Sequence, residues 1–411
     1  MSNRRDSKGR ILRSGESQRK DGRYMYQYTD ITGRRRTIYS RRLEPKDKYP
    51  PDSDKKEPSL REREAEVIMN RQNGLLDFGG DMTMLELAEK YVATRTGVRE
   101  STRTGYRTVL NFLRNEPIAH TRIDRVKLLD VKLWMVNLQQ NRGLHYSTLH
   151  TIRGVLRPAF QLAVDDDLIR KNPFSFRLAD VIRNDSEVRH PLKPREEEEF
   201  LRFILEDSHF RQYYEVIYIL LNTGLRISEF CGLTPKEVDF KKHCIHVNGQ
   251  LVRHSNMITS FEPPKTEKGY RSVPMSAEVE RCFRTLARNR KKVTVEPVID
   301  GHAGFYFLDA NGHPTVALHW EHYFNHIVSK YNSSHAIQLP NVTPHVCRHT
   351  FSTKMARMGM NPKTLQYIMG HSDISVTLDI YTEFGFDDAI AEHRRVLGEE
   401  EPQSRRRRAV N

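Results

Sequence analysis

The sequence contains no apolar run long enough to cross a membrane. Its 411 residues include no stretch of 18 consecutive apolar residues, so no membrane-spanning helix is expected. The opening MSNRRDSKGR lacks the apolar segment of a secretory signal. The few cysteines show no CxxC spacing, which argues against a zinc ribbon or a disulfide framework: Cys231, Cys244, Cys282 and Cys347. A reduced, cytoplasmic protein with no membrane partner is therefore expected.

Positive charge is in excess and unevenly distributed. The chain carries 67 Lys and Arg against 53 Asp and Glu, a net charge of +14. Residues 1–48 hold 15 basic and 6 acidic side chains, so a net +9 lies in the first tenth of the chain. Such a balance is typical of nucleic-acid binders, although many basic proteins bind none. The length predicts two or three domains.

A β-hairpin is predicted where RYMYQYTDITGRRRTIYS alternates around a turn at residues 30–33. Tyr24, Tyr26 and Tyr28 share one face, and we expect Ile38 to join them in a core. The opposite face then carries Met25, Gln27, Arg35, Thr37 and Tyr39. A two-stranded ribbon with this face fits a DNA major groove; the alternative is a small sheet with a solvated basic face. Ser59 should cap a helix that covers the sheet.

The middle of the chain, residues 82–183, predicts a small all-α domain. Apolar residues recur at i, i+3, i+4 and i+7 in stripes that we interpret as core. The stripes begin at Met84, Tyr106 and Leu149. Basic side chains accompany them and could contact a DNA backbone or form an ordinary solvated face: Arg103, Arg107, Arg153 and Arg157. Glycines near residues 74–80 mark one linker, and residues 171–194 mark a second.

Beyond residue 190 the pattern predicts a mainly α domain with a small antiparallel sheet. CIHVNGQLV and YRSVPM alternate as strands and flank Lys265, and FYFL at residues 305–308 is a further strand candidate. The triplet at residues 222–224 should separate two helices. Thr343 and Pro344 should begin another, with threonine as N-cap and proline at the first position.

Six side chains in this part of the chain suit attack of a tyrosine on a phosphodiester. They are Arg226 in TGLRISE, Lys265 in PPKTEKGYRSVP, His345 and Arg348 in TPHVCRHTFST, His371 in GHSD, and Tyr381. Arginine forks grip phosphate oxygens, histidine moves protons or donates to the phosphate, and a protonated amine can supply a proton to the leaving oxygen.

An isolated HxxR motif would carry no such meaning. Arg348 would then pair with a surface carboxylate, and His345 would be a satisfied polar group. His345 and His349 also form an i, i+4 pair that could suggest zinc, but the glutamate of HExxH and a third ligand are missing. We therefore expect no metal site and no cofactor.

The conjunction of these motifs, in this order, resembles the tyrosine recombinase (phage integrase) family, and most closely the integrases of conjugative transposons. The resemblance is strong over roughly residues 191–397. The helical segment resembles the family's core-binding domain, and the basic N-terminal sheet resembles an arm-binding domain. The expected division is an arm-type DNA-binding domain at 1–78, a core-binding domain at 82–183, a catalytic domain at 190–397 and a basic tail at 398–411.

The resemblance implies a role for each candidate side chain. Tyr381 would form a 3′-phosphotyrosine, and Arg226, Arg348 and His371 would stabilise the phosphorane. His345 would relay the tyrosine proton, and Lys265 would protonate the 5′-oxygen. Glu229 would orient an arginine or histidine. Because the phosphotyrosine keeps the bond energy, religation requires no ATP, metal or cofactor. The implied partners are double-stranded DNA with core and arm sites, a homotetramer on paired sites, and an accessory DNA-bending or excision protein.

Two alternatives belong to different functional classes. One is a type IB topoisomerase-like enzyme that relaxes DNA without exchanging partners, and the other is a non-catalytic DNA-binding regulator on the same fold. The separate basic N-terminal module favours recombination between organised sites, and the complete catalytic set argues against the regulator. We expect action in the bacterial cytoplasm, on nucleoid DNA.

An amphipathic helix is predicted after the tyrosine. The stretch DDAIAEHRRVLG at residues 387–398 has acidic residues first and basic residues late, matching the helix dipole, with an apolar stripe along one side. We expect this stripe to pack on a neighbouring protomer; packing on its own domain is the alternative.

Removal of residues 1–80 should leave cleavage of core sites intact and abolish tight binding to separate arm sites, because that segment includes residues 1–48, which carry a net +9. Arm-site binding by the full-length protein should weaken steeply with added salt as counterion release becomes less favourable. Titration of labelled arm-site DNA with both proteins tests this. Equal affinity of the truncated and full-length proteins would contradict a separate arm-binding module.

Overall fold

The computed structural model describes residues 4–29, 35–49, 57–72, 82–187, 190–254, 257–382, 390, 393–394 and 397, without the side chains of 70–72 and 382. Two compact units divide the chain, Met1–Glu187 and Val188–Asn411. Within the described ranges no helix is long and apolar enough to span a membrane. The predicted turn at 30–33, the first linker at 74–80, most of the helix predicted after Tyr381 and the tail at 398–411 lie outside the described residues.

The first unit opens with a three-stranded antiparallel sheet in the order β1-β2-β3. The strands are β1 (Glu16–Gln18), β2 (Tyr24–Thr29) and β3 (Arg35–Ser40). The register places Tyr26 opposite Ile38 and Gln27 opposite Thr37, as the alternation predicts. Helix α1 (Leu60–Gln72) adds Leu60 to a small core with Tyr24. The hairpin is confirmed, whereas β1 was not predicted because three residues are too few to show an alternation.

Four α-helices among the described residues build the rest of this unit. They are α2 (Met84–Thr94), α3 (Glu100–Arg114), α4 (Leu128–Gln140) and α5 (Tyr146–Asp165). Thr83 accepts from the backbone N–H of Glu86, and the Glu86 carboxylate accepts from that of Thr83, which fixes the start of α2. The predicted stripes lie in one apolar core, so the periodicity identified these helices correctly.

The second predicted linker is wrong over its first half. Phe174 is fully buried against Phe160, with 5.1 Å between ring centroids, and Leu178 and Ile182 are also buried in the helical core. These side chains are spaced every four residues along the segment. The apolar side chains therefore bind residues 171–182 to the helices, although the segment's composition is typical of a linker.

The second unit is mainly helical with two small antiparallel sheets. Its helices are α6 (Pro194–Glu206), α7 (Tyr214–Thr223), α8 (Ile227–Cys231), α9 (Ala277–Asn289), α10 (Ala317–Ser334), α11 (Pro344–Arg357), α12 (Pro362–Met369) and α13 (Ser375–Thr382). One sheet has the order β4 (Val238–Asp239), β5 (Cys244–Val247), β8 (Arg271–Pro274), and the other pairs β6 (Gln250–Arg253) with β7 (Thr259–Glu262). Trp320 and Phe230 lie in the core that these elements share.

Two strand predictions in this unit need correction. The run CIHVNGQLV forms two strands in different sheets, β5 and β6, and β7 was not predicted. FYFL at residues 305–308 is not a strand: only Leu308 makes an isolated bridge, to Pro314. Phe305, Tyr306 and Leu308 are all buried, so this apolar run fills the core instead of pairing along a ladder.

Candidate active site

A glycine turn places Arg226 at the start of α8. Helix α7 is followed by its C-cap, Gly224, which has a φ of 64° in the left-handed region. A Cβ there would lie 2.5 Å from the ring of Phe351, so both the backbone angle and the close approach require glycine. Two residues later Arg226 caps α8. The predicted break between the two helices is therefore confirmed.

Glu229 holds Arg226 from the first turn of α8. Its carboxylate accepts from the backbone N–H of Arg226 at 2.8 Å and from Nη1 at 2.8 Å. A second arginine, Arg271 on β8, donates to the same carboxylate at 3.0 and 2.8 Å. Burial alone would raise the pKa of Glu229, but the bonds and charge of Arg271, with the charges of Arg226 and Arg348, lower it to about 2. Glu229 is therefore an anion shared between two cations.

Arg348 lies in the first turns of α11. Thr343 caps this helix through its hydroxyl, which accepts from the N–H of Val346 at 3.3 Å, and Pro344 follows, as predicted. The buried guanidinium of Arg348 donates to the carbonyl of Gly224 at 2.6 Å. Burial, followed by the charge of Arg226, lowers the pKa of Arg348 to about 9, so the group remains a cation at neutral pH.

The C-terminal end of α12 collects three guanidinium groups. Arg271 Nε donates to the carbonyl of Ile368 at 2.6 Å, Arg348 Nη2 donates to that of Met369, and Arg226 Nη2 lies 3.4 Å from that of Gly370. Carbonyls at a helix C-terminus carry partial negative charge and favour cations. We call Arg226, Arg271 and Arg348 the arginine cluster.

His371 follows directly on this helix end. It is half-buried, and its Nδ1 lies 2.9 Å from the hydroxyl of Thr377. Burial first, and then the positive charges of the arginine cluster, lower the pKa of His371 to about 4. The ring is therefore neutral at physiological pH. When Nδ1 accepts from the Thr377 hydroxyl, the ring proton lies on Nε2, where it can be donated to an anion.

Lys265 and His345 are both exposed. Lys265 lies in the bend that follows β7, and His345 lies on the first turn of α11, three residues before the buried Arg348. The turn after Lys265 is bound to the segment after His371, because Lys268 Nζ donates to the carbonyl of Ser372 at 2.8 Å. Within the described ranges no group of three His, Cys, Asp or Glu side chains is placed to hold a metal ion.

Tyr381 lies on α13, half-buried against the core of the second unit. Its hydroxyl donates a hydrogen bond to the backbone carbonyl of Met360. Burial raises the pKa of Tyr381, which keeps the phenol protonated in this arrangement. The structure thus joins Arg226, Glu229, Arg348 and His371 through direct contacts or the shared helix end, and it orients the Tyr381 hydroxyl towards a backbone acceptor.

The predicted DNA-contacting side chains of the first unit lie on the sheet face, on α3 and on α5. On the sheet face, Gln27, Arg35 and Tyr39 are exposed, Met25 and Thr37 are partly buried, and the Arg19 guanidinium lies 5.7 Å from the Tyr39 ring. On α3, Arg103 and Arg107 both pair with Glu100.

Arg153 on α5 binds backbone groups and not a carboxylate: its Nη2 donates to the carbonyls of Phe174 and Phe176. Burial, and then the charge of Arg157, lower the pKa of Arg153. Arg153 and Arg157 line a recess of about 320 Å³ together with Ser175, Phe176 and Arg177.

Arg271 was not predicted from the sequence, although a signal was present. In YRSVPM the alternation places Arg271 on the same face as Val273, and both are buried. An arginine at an inward position of a strand requires a carboxylate partner, because an unpaired buried charge is costly.

Acid should destabilise the protein through His371. Since its pKa is about 4 in the folded state and 6.5 ordinarily, the unfolded chain binds more protons between these values. The stability that neutral His371 contributes is complete above pH 6.5 and is lost as the pH falls towards 4. Relative to His371→Gln, the free energy of unfolding of the wild type should therefore fall, by about 1–2 kcal/mol once solvent screening of the partly exposed ring is included.

Urea unfolding at several pH values, in a Trp134→Phe background, tests this because Trp320 then reports on the second unit alone. If the free energy of unfolding depends on pH in the same way with His371 and with His371→Gln, a buried neutral His371 is contradicted.

Models of known protein families match three parts of the chain. The phage integrase family matches residues 191–386, the DNA binding domain of tn916 integrase matches residues 1–71, and the phage integrase SAM-like domain matches residues 83–180.

Similar proteins span nearly the whole chain. The transposase from transposon Tn916 of Enterococcus faecalis is 41% identical over 404 residues, which cover 98% of each protein. The solved integrase of transposon Tn1549, in complex with a circular intermediate DNA, is 43% identical, with a TM-score of 0.73 over 76% of this chain and 99% of that chain. A lambda integrase dimer bound to a core site is 14% identical with a TM-score of 0.50, over 73% of this chain and 95% of that one, which shows a shared fold.

These similarities confirm the predicted fold class: a small N-terminal β-sheet with a helix, an all-α middle domain and a mainly α domain with a small antiparallel sheet. The described residues of the last domain form two such sheets. They also confirm the predicted enzyme class. Because the identity to full-length relatives extends over 98% of its length, the chain belongs to the phage integrase family and is a tyrosine site-specific recombinase.

Proposed function

We propose that this recombinase excises and integrates a mobile element of the conjugative-transposon type by cutting DNA through a 3′-phosphotyrosyl intermediate. The charge of the arginine cluster is the observation that carries the proposal. Three guanidinium groups and the Glu229 carboxylate leave a net +2 at one helix end. A phosphodiester gains negative charge as it becomes a phosphorane, so this excess stabilises the transition state more than the substrate.

Arg226 and His371 supply the contacts to the phosphate. The Arg226 side chain is 41% exposed and has N–H groups beyond those bound to Glu229 and Gly370, so it can grip a non-bridging oxygen. Arg348 acts from its buried position beside Arg226. Neutral His371 donates from Nε2, which adds a hydrogen bond without the cost of burying another cation.

Tyr381 is the proposed nucleophile. Its hydroxyl must leave the carbonyl of Met360 before the phenol oxygen can approach phosphorus in line with the leaving oxygen. The phenol is protonated at neutral pH, and burial raises its pKa further, so Tyr381 needs a base to act as a nucleophile. His345, exposed on the first turn of α11, takes the proton, and Lys265 delivers one to the 5′-oxygen.

Religation follows from the same chemistry in reverse. The phosphotyrosine bond retains the energy of the broken phosphodiester, so a new 5′-hydroxyl can displace Tyr381 without ATP. Two sequential exchanges pass through a Holliday junction, which requires four active subunits on paired core sites. The Tn1549 integrase was solved with circular intermediate DNA, which supports an excised circle as the form exchanged here.

DNA binding is divided among the proposed domains, 1–78 for arm sites, 82–183 for core sites and 190–397 for catalysis, with 398–411 as a basic tail. The recess beside Arg153 and Arg157 supports a backbone contact in the core-binding domain, because Arg153 is fixed by two carbonyls and a DNA phosphate would relieve the repulsion between the two guanidiniums. In this proposal, further DNA contacts are made by Arg103 and Arg107 in the core-binding domain. In the arm-binding domain they are made by the sheet face of Met25, Gln27, Arg35, Thr37 and Tyr39. Action on nucleoid DNA in the bacterial cytoplasm, with an accessory bending or excision protein, completes the proposal.

Tyr381→Phe should bind DNA as well as the wild type but form no covalent complex, because only the nucleophilic oxygen is lost. Mobility-shift titration measures binding, and a denaturing gel of the same samples measures the adduct. Tyr218→Phe on α7, which stacks on Tyr214 in the same unit, is the matched control and should retain the adduct. A protein–DNA adduct formed by Tyr381→Phe would rule out the proposed nucleophile.

Lys265→Ala should cleave ordinary DNA about 10²- to 10⁴-fold more slowly, since the general acid is lost. On DNA whose bridging 5′-oxygen is replaced by sulfur, the rate should return close to that of the wild type, because a thiolate leaves without a proton. Lys268→Ala, whose lysine binds the Ser372 carbonyl, controls for damage to the turn and should show no selective rescue by sulfur. A rescue of Lys268→Ala but not of Lys265→Ala would assign the general acid to the other lysine.

A further inference from the structure

Arg271 opens β8 with a side chain that has no exposure to solvent. Four of its five N–H donors are used within the protein: Nε on the Ile368 carbonyl, Nη1 on Glu229 and the Gly269 carbonyl, and Nη2 on Glu229 again. A guanidinium this enclosed cannot reach a DNA phosphate. Any effect of Arg271 on the reaction must therefore pass through the groups that it holds.

The first group is Glu229, which also holds Arg226. Oε1 of this carboxylate accepts from Arg226 at 2.8 Å and from Arg271 at 3.0 Å. Without Arg271, the charge of Glu229 would cancel that of Arg226, and only Arg348 would leave a net positive charge in the cluster. With Arg271 in place, Arg226 keeps its orientation from Glu229 and the cluster keeps its excess charge for the phosphate.

The second group is the end of α12, just before His371. Arg271 binds the Ile368 carbonyl at 2.6 Å and packs against Gly370, where a Cβ would lie 2.9 Å from Nη1. Gly370 has a φ of 62°, so this position requires glycine both for its backbone angle and for the closeness of the guanidinium. The direction in which the chain leaves the helix, and hence the position of His371, depends on this contact.

The third group is the turn between β7 and β8. Nη1 of Arg271 lies 3.2 Å from the carbonyl of Gly269, four residues beyond Lys265. One side chain therefore touches the three segments that carry Arg226, His371 and Lys265, which are far apart in the sequence.

We propose that Arg271 is a positioning residue for strand cleavage: it sets the mutual placement of Arg226, Lys265 and His371 and keeps Glu229 from neutralising Arg226. This inference rests on the proposed function. It adds a seventh cationic or proton-carrying side chain to the set identified from the motifs, although this one never touches DNA.

Single-turnover cleavage by the full-length protein tests the proposal, with a nicked duplex made from the DNA that flanks its own gene. Arg271→Met should lower the cleavage rate constant by about 10²-fold or more, as displaced catalytic groups do, with DNA affinity unchanged. Arg271→Lys keeps the charge but not the fork, so its rate constant should lie between those of Arg271→Met and the wild type.

The amplitude of the reaction separates positioning from folding. A variant that merely folds poorly leaves fewer active molecules and lowers the amplitude, whereas a mispositioned site lowers the rate constant at full amplitude. Arg290→Met is the matched control, because Arg290 makes the same kind of clamp, with Nε on the Phe305 carbonyl at 2.7 Å and its Nη groups on Glu296. It should lose thermal stability without a change in the cleavage rate constant.

Two further comparisons test the electrostatic part. In a Glu229→Gln background, Arg271→Met should lower the cleavage rate constant by a smaller factor than it does in the wild type, because no carboxylate charge remains to be neutralised. On a methylphosphonate at the scissile position, which carries one negative charge fewer, the wild-type to Arg271→Met rate ratio should shrink.

The outcomes are distinguishable from failure of the proposed function. If the wild type forms no adduct with this DNA, the function is wrong. If the wild type cleaves and both Arg271 variants show the wild-type rate constant, whether at full or reduced amplitude, Arg271 serves folding only and the inference is overturned. If Arg271→Met lowers the cleavage rate constant by the same factor on phosphate and methylphosphonate, Arg271 does not act by preserving the positive charge of the cluster.

Discussion

The candidate active site depends on holding three guanidinium groups together at the end of one short helix. Two like charges about 5 Å apart repel by roughly 3 kcal/mol at an effective dielectric constant of 20. Each hydrogen bond between a charged group and a carbonyl returns about 1.5–3 kcal/mol, and the negative end of the helix adds to this. The net positive charge is therefore stabilised by the consecutive carbonyls of Ile368, Met369 and Gly370 and by the carboxylate of Glu229.

The same positive charge sets the protonation of the neighbouring groups. Burial and then this positive charge lower the pKa of His371 from its ordinary 6.5. The ring is therefore a neutral hydrogen-bond donor at physiological pH. Glu229 stays ionised although it is buried. Tyr381, by contrast, remains a protonated phenol on the Met360 carbonyl. The positive charge of the cluster is thus in place before DNA arrives, whereas the Tyr381 hydroxyl, the proposed nucleophile, is bonded to a backbone carbonyl.

Sequence patterns located the parts of this site that depend on local rules. Threonine followed by proline marked the start of α11, and the triplet that ends at Gly224 marked the break before Arg226. Long-range pairing was harder to infer. Arg271 binds a carboxylate 42 residues away and a carbonyl 97 residues away. FYFL packs without a strand ladder, and a few buried apolar side chains retain the linker-like segment at residues 171–182. None of these follows from spacing alone, because each depends on which segments meet in three dimensions.

The most direct test is a structure of the protein on core-site DNA with vanadate in place of the scissile phosphate. The account predicts vanadium bound to the Tyr381 oxygen at one apex, its equatorial oxygens contacted by Arg226 and His371, Arg348 beside them, and the Met360 carbonyl released. Arg271 should still bind Glu229 and Ile368. Vanadate bound away from the arginine cluster, or Tyr381 still donating to Met360 while another side chain occupies the apex, would contradict it.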